Sequence, residues 1–348
     1  MSVQPSPFNH PAAWQVEQLG SKDELAIELS RQQQGVLLSA LDATAKLTQD
    51  DITARNFTLD GIAADLGEWV RRVRQGTGLL LLRGMPVADL SVEESERLFY
   101  GLGTHFGAAV SQSNQGEKIG RVLNIGGQDR RQRAYQNARQ LMLHTDRCDY
   151  VGMLCLRPAM SGGLSGYASA LTVHNKLLEN APELLTPLYE GFHLHRFGEQ
   201  TDDSPLSKEP VPIFSMVDGW PNVVYIRGYI DLALDEGHYE LTSLQQRALD
   251  TFDEIANEPD VRYDIMLESG EATITNNALL LHRRTSFEDY PESEQRRLLL
   301  RLWLMDPDLP TLPAVQAHKS LKGIEKVEGR GTYYQGPGYG DDSSGKDY

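Results

Sequence analysis

The chain has 348 residues, 40% of them hydrophobic, a formal net charge of −16 and two cysteines, Cys148 and Cys155. That length builds one large domain or two ordinary ones. The acidic balance argues against nucleic acid or an anionic membrane surface as partner, since both need clustered Lys and Arg. Two cysteines cannot make a disulfide framework. "MSVQPSPFNHPAAW" has neither a basic n-region nor an apolar h-region, and "GLLLL" is far too short to span a bilayer. A cytoplasmic protein with no membrane partner is expected.

Residues 1–75 read as an N-terminal helical extension packed on the core. In "TLDGIAADLGEWVRRV", Ile62, Leu66, Trp69, Val70 and Val73 form one stripe, with Thr58 as N-cap. "GTGLLLLRGMP" is a short buried strand between Gly and Pro. "SVEESERLFYGLG" carries a capping box, Ser91 with Glu94. From about 120 come short strand candidates: "RVLNIGG", "LMLHTD", "GMLCLRP", "FSMV", "NVVYIRGYI", "EATITNNALLLH" and "RRLLLRLWLM". Two amphipathic helices interrupt them, "SALTVHNKLLENAPELLTPLYEGF" and "TSLQQRALDTFDEIANE". The expected class is α+β, a β-sandwich or jelly roll over residues 76–312 with flanking helices; doubly wound α/β is less expected because the strands do not alternate regularly with helices. Residues 313–348 read as a Gly/Tyr-rich tail, extended or mobile from about 318.

"LMLHTDRCDY" holds His144 and Asp146 two apart at the end of an apolar run. In a strand such residues share a face, as two ligands of one metal must. The spacing is weak evidence alone, because about one H-x-[DE] is expected by composition. "HYE", His238 to Glu240, is a second occurrence, but it precedes a helix capped by Thr242 or Ser243 and reads as a solvated helix entrance. A lone polar pair in a strand is the plainer reading of His144 until later residues are added. His282 ends another apolar strand. In "QRRLLLRLWLM", Arg297, Leu299, Arg301 and Trp303 share one face and Leu298, Leu300, Leu302 and Leu304 the other. If helices cover the leucines, the arginines face inward, where a guanidinium needs an anion. "SGGLSG" adds a Gly-Gly bend and Ser165.

In this order the motifs "HTD" (144–146), "GGLS" (162–165) and "HRRTSFEDYPESEQRRLLLRLWL" (282–304) resemble the Fe(II)/2-oxoglutarate-dependent oxygenases of the taurine dioxygenase and clavaminate synthase-like (TauD/TfdA) group. The resemblance spans roughly residues 75–310 and implies a double-stranded β-helix. It implies His144, Asp146 and His282 as ligands of Fe(II). It also implies Arg297 on the distal carboxylate of 2-oxoglutarate, helped by Ser165, and Arg301 nearer the metal. Fe(II), 2-oxoglutarate and O2 are then the cofactors. The expected reaction hydroxylates, desaturates or cyclises at an unactivated C–H bond, releasing succinate and CO2. The acid in "HTD" speaks against the halogenating branch, where a small residue replaces it.

Gln140 matches a position that can contact substrate in the taurine enzyme, although the residue type differs. Asn114 and Gln115, Arg147 with Asp149, and Tyr225 with Arg227 are further substrate-facing candidates, each with a structural ion pair or loop contact as its plain alternative. A small polar substrate with a carboxylate or amine is expected; homo-oligomerisation is left open. Two other classes stand beside this one, a non-catalytic jelly-roll binding protein and a Zn²⁺ hydrolase on the same triad. The first has no need of an open three-ligand site, and the second would leave both arginines without a task.

Overall fold

The four leucines of "LLLL" part by parity. Leu79 and Leu81 join a large inner core, whereas Leu80 and Leu82 pack under the N-terminal helices. The same split recurs at the C-terminal end of the core. Leu299 lies on the inner side, and Leu300, Leu302 and Leu304 on the helix-covered side. Period-two alternation thus sorts each strand into one face for the cavity and one for the helices.

The computed structural model describes residues 5–125, 137–200 and 202–328. The larger sheet uses β1 (Ala26–Glu28), β2 (Leu79–Arg83), β3 (Ala108–Ala109) and β4 (Ile119–Val122). After β5 (Leu141–His144) come β6 (Tyr150–Arg157), β7 (Ser165–Ser169) and β8 (Arg262–Ile265). The last three are β9 (Glu271–Asn276), β10 (Leu280–Arg284) and β11 (Leu298–Met305). A seven-stranded sheet runs β1-β2-β9-β6-β11-β3, with β4 also on β11. A four-stranded sheet runs β8-β7-β10-β5. Among the described residues all these pairings are antiparallel except β1 with β2. The sheets face each other: Tyr167 of β7 and Thr273 of β9 share a hydrogen bond of 3.0 Å across the gap.

Helices α1 (Arg31–Ala43), α2 (Ala63–Arg74) and α3 (Val92–Gly103) supply Leu37, Leu41, Trp69, Val73, Leu98 and Phe99 to the outer layer. Gly152 in β6 admits this contact, since a Cβ there would meet Phe99 at 3.0 Å. Truncating one of the facing leucines to alanine costs ~2–5 kcal/mol in such a layer. On the other side lie α4 (Ala170–Asn180), α5 (Leu185–Glu190), α6 (Arg227–Asp235) and α7 (Ser243–Ala256).

Four expectations change. The N-terminal extension is not wholly helical: Ala26–Glu28 pairs parallel to β2. It is too short, between two capping boxes at Ser21 and Ser30, to show a period. "SALTVHNKLLENAPELLTPLYEGF" is not one helix, because α4 ends before Pro182 and α5 begins at Leu185. "EATITNNALLLH" is two strands in two different sheets, with Asn277 at the crossing. The tail does not loosen at 318. Helix α8 (Pro313–Lys319) docks, and the chain continues along the loop after β3. There Ile324 N–H donates to Ser111 O at 3.1 Å and Val327 N–H to Asn114 O at 2.9 Å. Residues 329–348 of the expected tail lie outside the described residues.

His174 on α4 is fully buried between Phe8, Tyr189 and Phe214, with Nε2 2.9 Å from Tyr189 Oη. Burial pulls its pKa down to about 4. A histidine lowered by folding is protonated first in the unfolded chain. Stability is therefore complete above about pH 6.5 and falls as pH drops toward 4. Denaturant unfolding should show about 2 kcal/mol less stability at pH 5 than at pH 7 from this residue. The His174→Gln protein should show a flatter profile; an unchanged slope rejects the assignment.

Candidate active site

His144 ends β5 and His282 lies directly opposite on β10, with ring centroids 4.3 Å apart. The register breaks beside them: His282 pairs with His144, but Arg284 pairs with Leu141. β5 carries the extra residue, a bulge of the kind that re-aims side chains beside functional sites. Asp146 lies beyond the strand end, so strand alternation does not place it. Asn277 does: Asp146 N–H donates to its Oδ1 at 2.9 Å, and its Nδ2 donates to Asp146 O at 2.8 Å and Cys148 O at 2.6 Å. On the other side Thr145 N–H donates to Tyr225 O at 2.7 Å, and Tyr225 N–H to Thr145 Oγ1 at 2.9 Å. The turn is thus held from both flanks.

The three side chains converge, with ligand atoms all within 4.8 Å of one another. His144 Nε2 stands 3.6 Å from Asp146 Oδ1, and His282 Nε2 3.4 Å from Oδ2. His144 Nδ1 lies 2.8 Å from Met142 O. A carbonyl can only accept, so Nδ1 donates and Nε2 is the nitrogen turned toward the carboxylate. With Nδ1 held this way Nε2 is placed to bind a metal, and a hydrogen bond behind a ligating histidine is the usual arrangement at metal sites. Burial would raise the Asp146 pKa, but Arg301 and the two histidines outweigh it and hold the acid well below the ordinary carboxylate range. Two imidazoles and one ionised carboxylate fit an Fe(II) site of the two-histidine, one-carboxylate type.

Beyond His282 lies a cavity of about 50 Å³ lined by Ser165, Arg284, Arg297 and Arg301 and walled by Val122, Val151, Met153 and Tyr167. Arg297 is 3% exposed, and its Nη1 has no hydrogen-bond partner. Burial pulls its pKa down to about 10. The guanidinium stays charged and lacks an acceptor, which a ligand carboxylate would supply. Its plane lies 4.8 Å from the Phe287 ring, and Arg284 lies 5.0 Å from the same ring. Gly163 (φ +74°) lets the Gly-Gly bend reach Arg297, since a Cβ there would be 3.3 Å from Arg297 Nε. At Gly162 (φ +69°) a Cβ would fall 2.2 Å from Ser286 O, so no other residue fits. Arg301 is held by Gln112, which accepts from its Nε at 2.7 Å and donates to its carbonyl at 2.8 Å. Arg301 Nη1 reaches Asp146 Oδ2 at 3.6 Å.

The substrate-facing candidates are not gathered here. Arg227 opens α6 instead of continuing a strand, and Asp231, Asp250 and Asp253 take up its guanidinium at 2.9–3.0 Å. Tyr225 Oη donates to Asp253 at 2.6 Å. This pair is a structural network, which corrects its placement on one cavity-facing strand. Arg147 pairs with Glu199 at 3.0 Å and donates to His318 O at 2.9 Å, beside a separate cavity of about 470 Å³. Asp149 is bound by Lys319, not by Arg147. Asn114 is buried and accepts from the Gln115 side chain, and Gln140 is exposed with its amide toward Met142 Sδ.

"HYE" is not a bare helix entrance either. His238 and His195 both approach Glu236 Oε2, at 3.0 and 3.1 Å. However, His195 Nδ1 accepts from Phe197 N–H at 2.9 Å, so its Nε2 carries the proton and donates to Glu236. At His144 Nδ1 instead donates to a backbone carbonyl, so the His195 cluster differs from it and is a hydrogen-bonded one. Asn277, Gln112 and Trp303 were not singled out for the site from sequence. The doubled Asn of "NNALLLH" is a turn signal that could have flagged Asn277; nothing in "SQSNQ" marks Gln112 as buried.

The sequence profile of the taurine catabolism dioxygenase TauD, TfdA family matches residues 43–303, reaching back into the N-terminal extension. FR-33289 synthase of Streptomyces rubellomurinus is 29% identical over 306 residues, covering 86% of this chain and 90% of its own. Uridine-5'-phosphate dioxygenase of a Streptomyces species is 31% identical over 155 residues, 43% of this chain and 53% of its own. Among solved structures, asparagine oxygenase with Fe(II), hydroxyasparagine and succinate superposes with a TM-score of 0.64 at 15% identity, covering 81% of this chain and 93% of that one. The non-heme iron oxygenase OrfP with Fe and alpha-ketoglutaric acid gives 0.61 at 15% identity, covering 80% and 94%.

Proposed function

Because the chain belongs to the taurine catabolism dioxygenase TauD, TfdA family, we propose that its His144–Asp146–His282 site hydroxylates an unactivated C–H bond of a small polar substrate carrying an anionic group. Its cofactors are Fe(II), 2-oxoglutarate and O2. With iron bound, O2 would be the oxidant: it takes two electrons from 2-oxoglutarate, released as succinate and CO2, and two from the C–H bond, leaving one oxygen atom in succinate and one in the hydroxylated product. His144 Nε2, His282 Nε2 and the Asp146 carboxylate would hold the metal. Arg297 would pair with the distal carboxylate of 2-oxoglutarate, with Ser165 at the same end of the cavity. Arg301 steadies the Asp146 carboxylate, and Val122, Val151, Met153 and Tyr167 keep that cavity dry.

The observation that carries this reading is the convergence of His144 Nε2, His282 Nε2 and the Asp146 carboxylate, with His144 Nδ1 donating to Met142 O behind them. Relatives named for a nucleoside phosphate and an amino acid fit a small polar substrate. Succinate release is the test, screened over nucleoside monophosphates, amino acids, sulfonates and small acids. Substrate-stimulated succinate is expected from one of these classes. Turnover only with a large lipid or polymer would refute the proposal.

A further inference from the structure

Trp303 sits on β11 two residues after Arg301, so both side chains point to the inner face. Its indole N–H donates to Asp146 Oδ2 at 2.8 Å. Trp303 is 2% exposed and Asp146 8%. The Arg301 guanidinium lies over the indole at 4.9 Å and brings Nη1 to the same oxygen at 3.6 Å. Oδ1 faces His144 Nε2 at 3.6 Å. The two oxygens of one carboxylate therefore differ before any metal arrives. His282 Nε2 is 3.4 Å from Oδ2, so their inequality rests on the indole and not on proximity to a histidine.

We propose that Trp303 is a positioning residue that reserves Asp146 Oδ2 as a hydrogen-bond acceptor and commits the acid to bind iron through Oδ1 alone. The inference rests on the iron-ligand assignment of Asp146 made above. A carboxylate without this restraint can rotate and offer both oxygens to a metal, closing a position that 2-oxoglutarate or O2 needs. Three protein ligands leave three places free only if each supplies one atom. An indole suits this role because it donates and cannot accept or ionise, so the bond keeps its direction at every working pH. The stacked Arg301 favours the indole face and limits its rotation.

Trp303→Phe removes the N–H while keeping an aromatic ring. Anaerobic titration with Fe(II) in the presence of 2-oxoglutarate should show metal affinity weakened ~10–100-fold, the range for outer-shell partners of a metal ligand. The visible band of the chelate should also move in wavelength, which loss of packing alone would not do. A second measurement needs no variant. In wild-type protein labelled with ¹⁵N-tryptophan and loaded with Co(II), one of the four indole N–H signals should carry a large paramagnetic shift. Affinity within twofold of wild type with an unmoved band overturns the inference, as does the absence of a shifted indole signal. Wild-type protein that forms no band would instead refute the iron site itself.

Discussion

Asp146→Ala and His144→Ala are each expected to abolish the visible charge-transfer band that Fe(II) and 2-oxoglutarate form in the absence of oxygen. Each removes one of the three proposed ligand atoms. The loss of metal affinity should exceed the ~100-fold that marks the upper end for outer-shell partners. Asp146→Ala carries a second penalty. It leaves the Trp303 N–H without its acceptor and removes the carboxylate that faces Arg301, both in a buried setting. The alanine protein should therefore also unfold at a lower temperature than His144→Ala. Retention of the band by both variants would end the iron assignment.

The second large effect belongs to Arg297. Its Nη1 lacks a partner inside the cavity, and Phe287 fixes the plane of its guanidinium. Truncating one side of a buried charge pair costs ~2–5 kcal/mol. Arg297→Leu should thus raise KM for 2-oxoglutarate by about 100-fold or more, measured through succinate release. Fe(II) affinity without 2-oxoglutarate should stay close to wild type, because Arg297 touches no metal ligand among the contacts described. Arg297→Lys should recover part of the loss: the ammonium keeps the charge but not the two-pronged geometry. A KM shift below threefold in the leucine variant would reject the role.

Much of this site can be read from sequence because two periodic patterns survive folding. Alternation in "RRLLLRLWLM" sends Leu300, Leu302 and Leu304 to the helices and leaves Arg301 and Trp303 facing in. Apolar runs that end in His144 and His282 place both residues at strand ends, and the cross-strand register makes them opposite. Asp146 converges for a different reason from its spacing. Its position depends on Asn277, 131 residues away, and no local pattern encodes such a bond. Arg227 fails in the opposite direction. "NVVYIRGYI" has a strand's composition, yet the strand stops at Val223 and Arg227 opens a helix beside three acids from α6 and α7. Tertiary charge pairing there outweighs local propensity. The N-terminal strand escaped because three residues between capped turns carry no period.

The docking of α8 also has a consequence in time. Lys319, 1% exposed, donates to Asp149 Oδ1 at 3.0 Å and to Asn222 Oδ1 at 3.0 Å. Asp149 stands three residues after Asp146, on the same turn. The two partners are 170 residues apart in the chain. At translation rates of ~5–20 residues per second, the aspartate leaves the ribosome roughly 10–30 s before the lysine that neutralises it. During that interval Asp149 lacks the cation that accompanies its burial in the folded chain. The ion pair that ties α8 to this turn therefore forms only after Lys319 has been made.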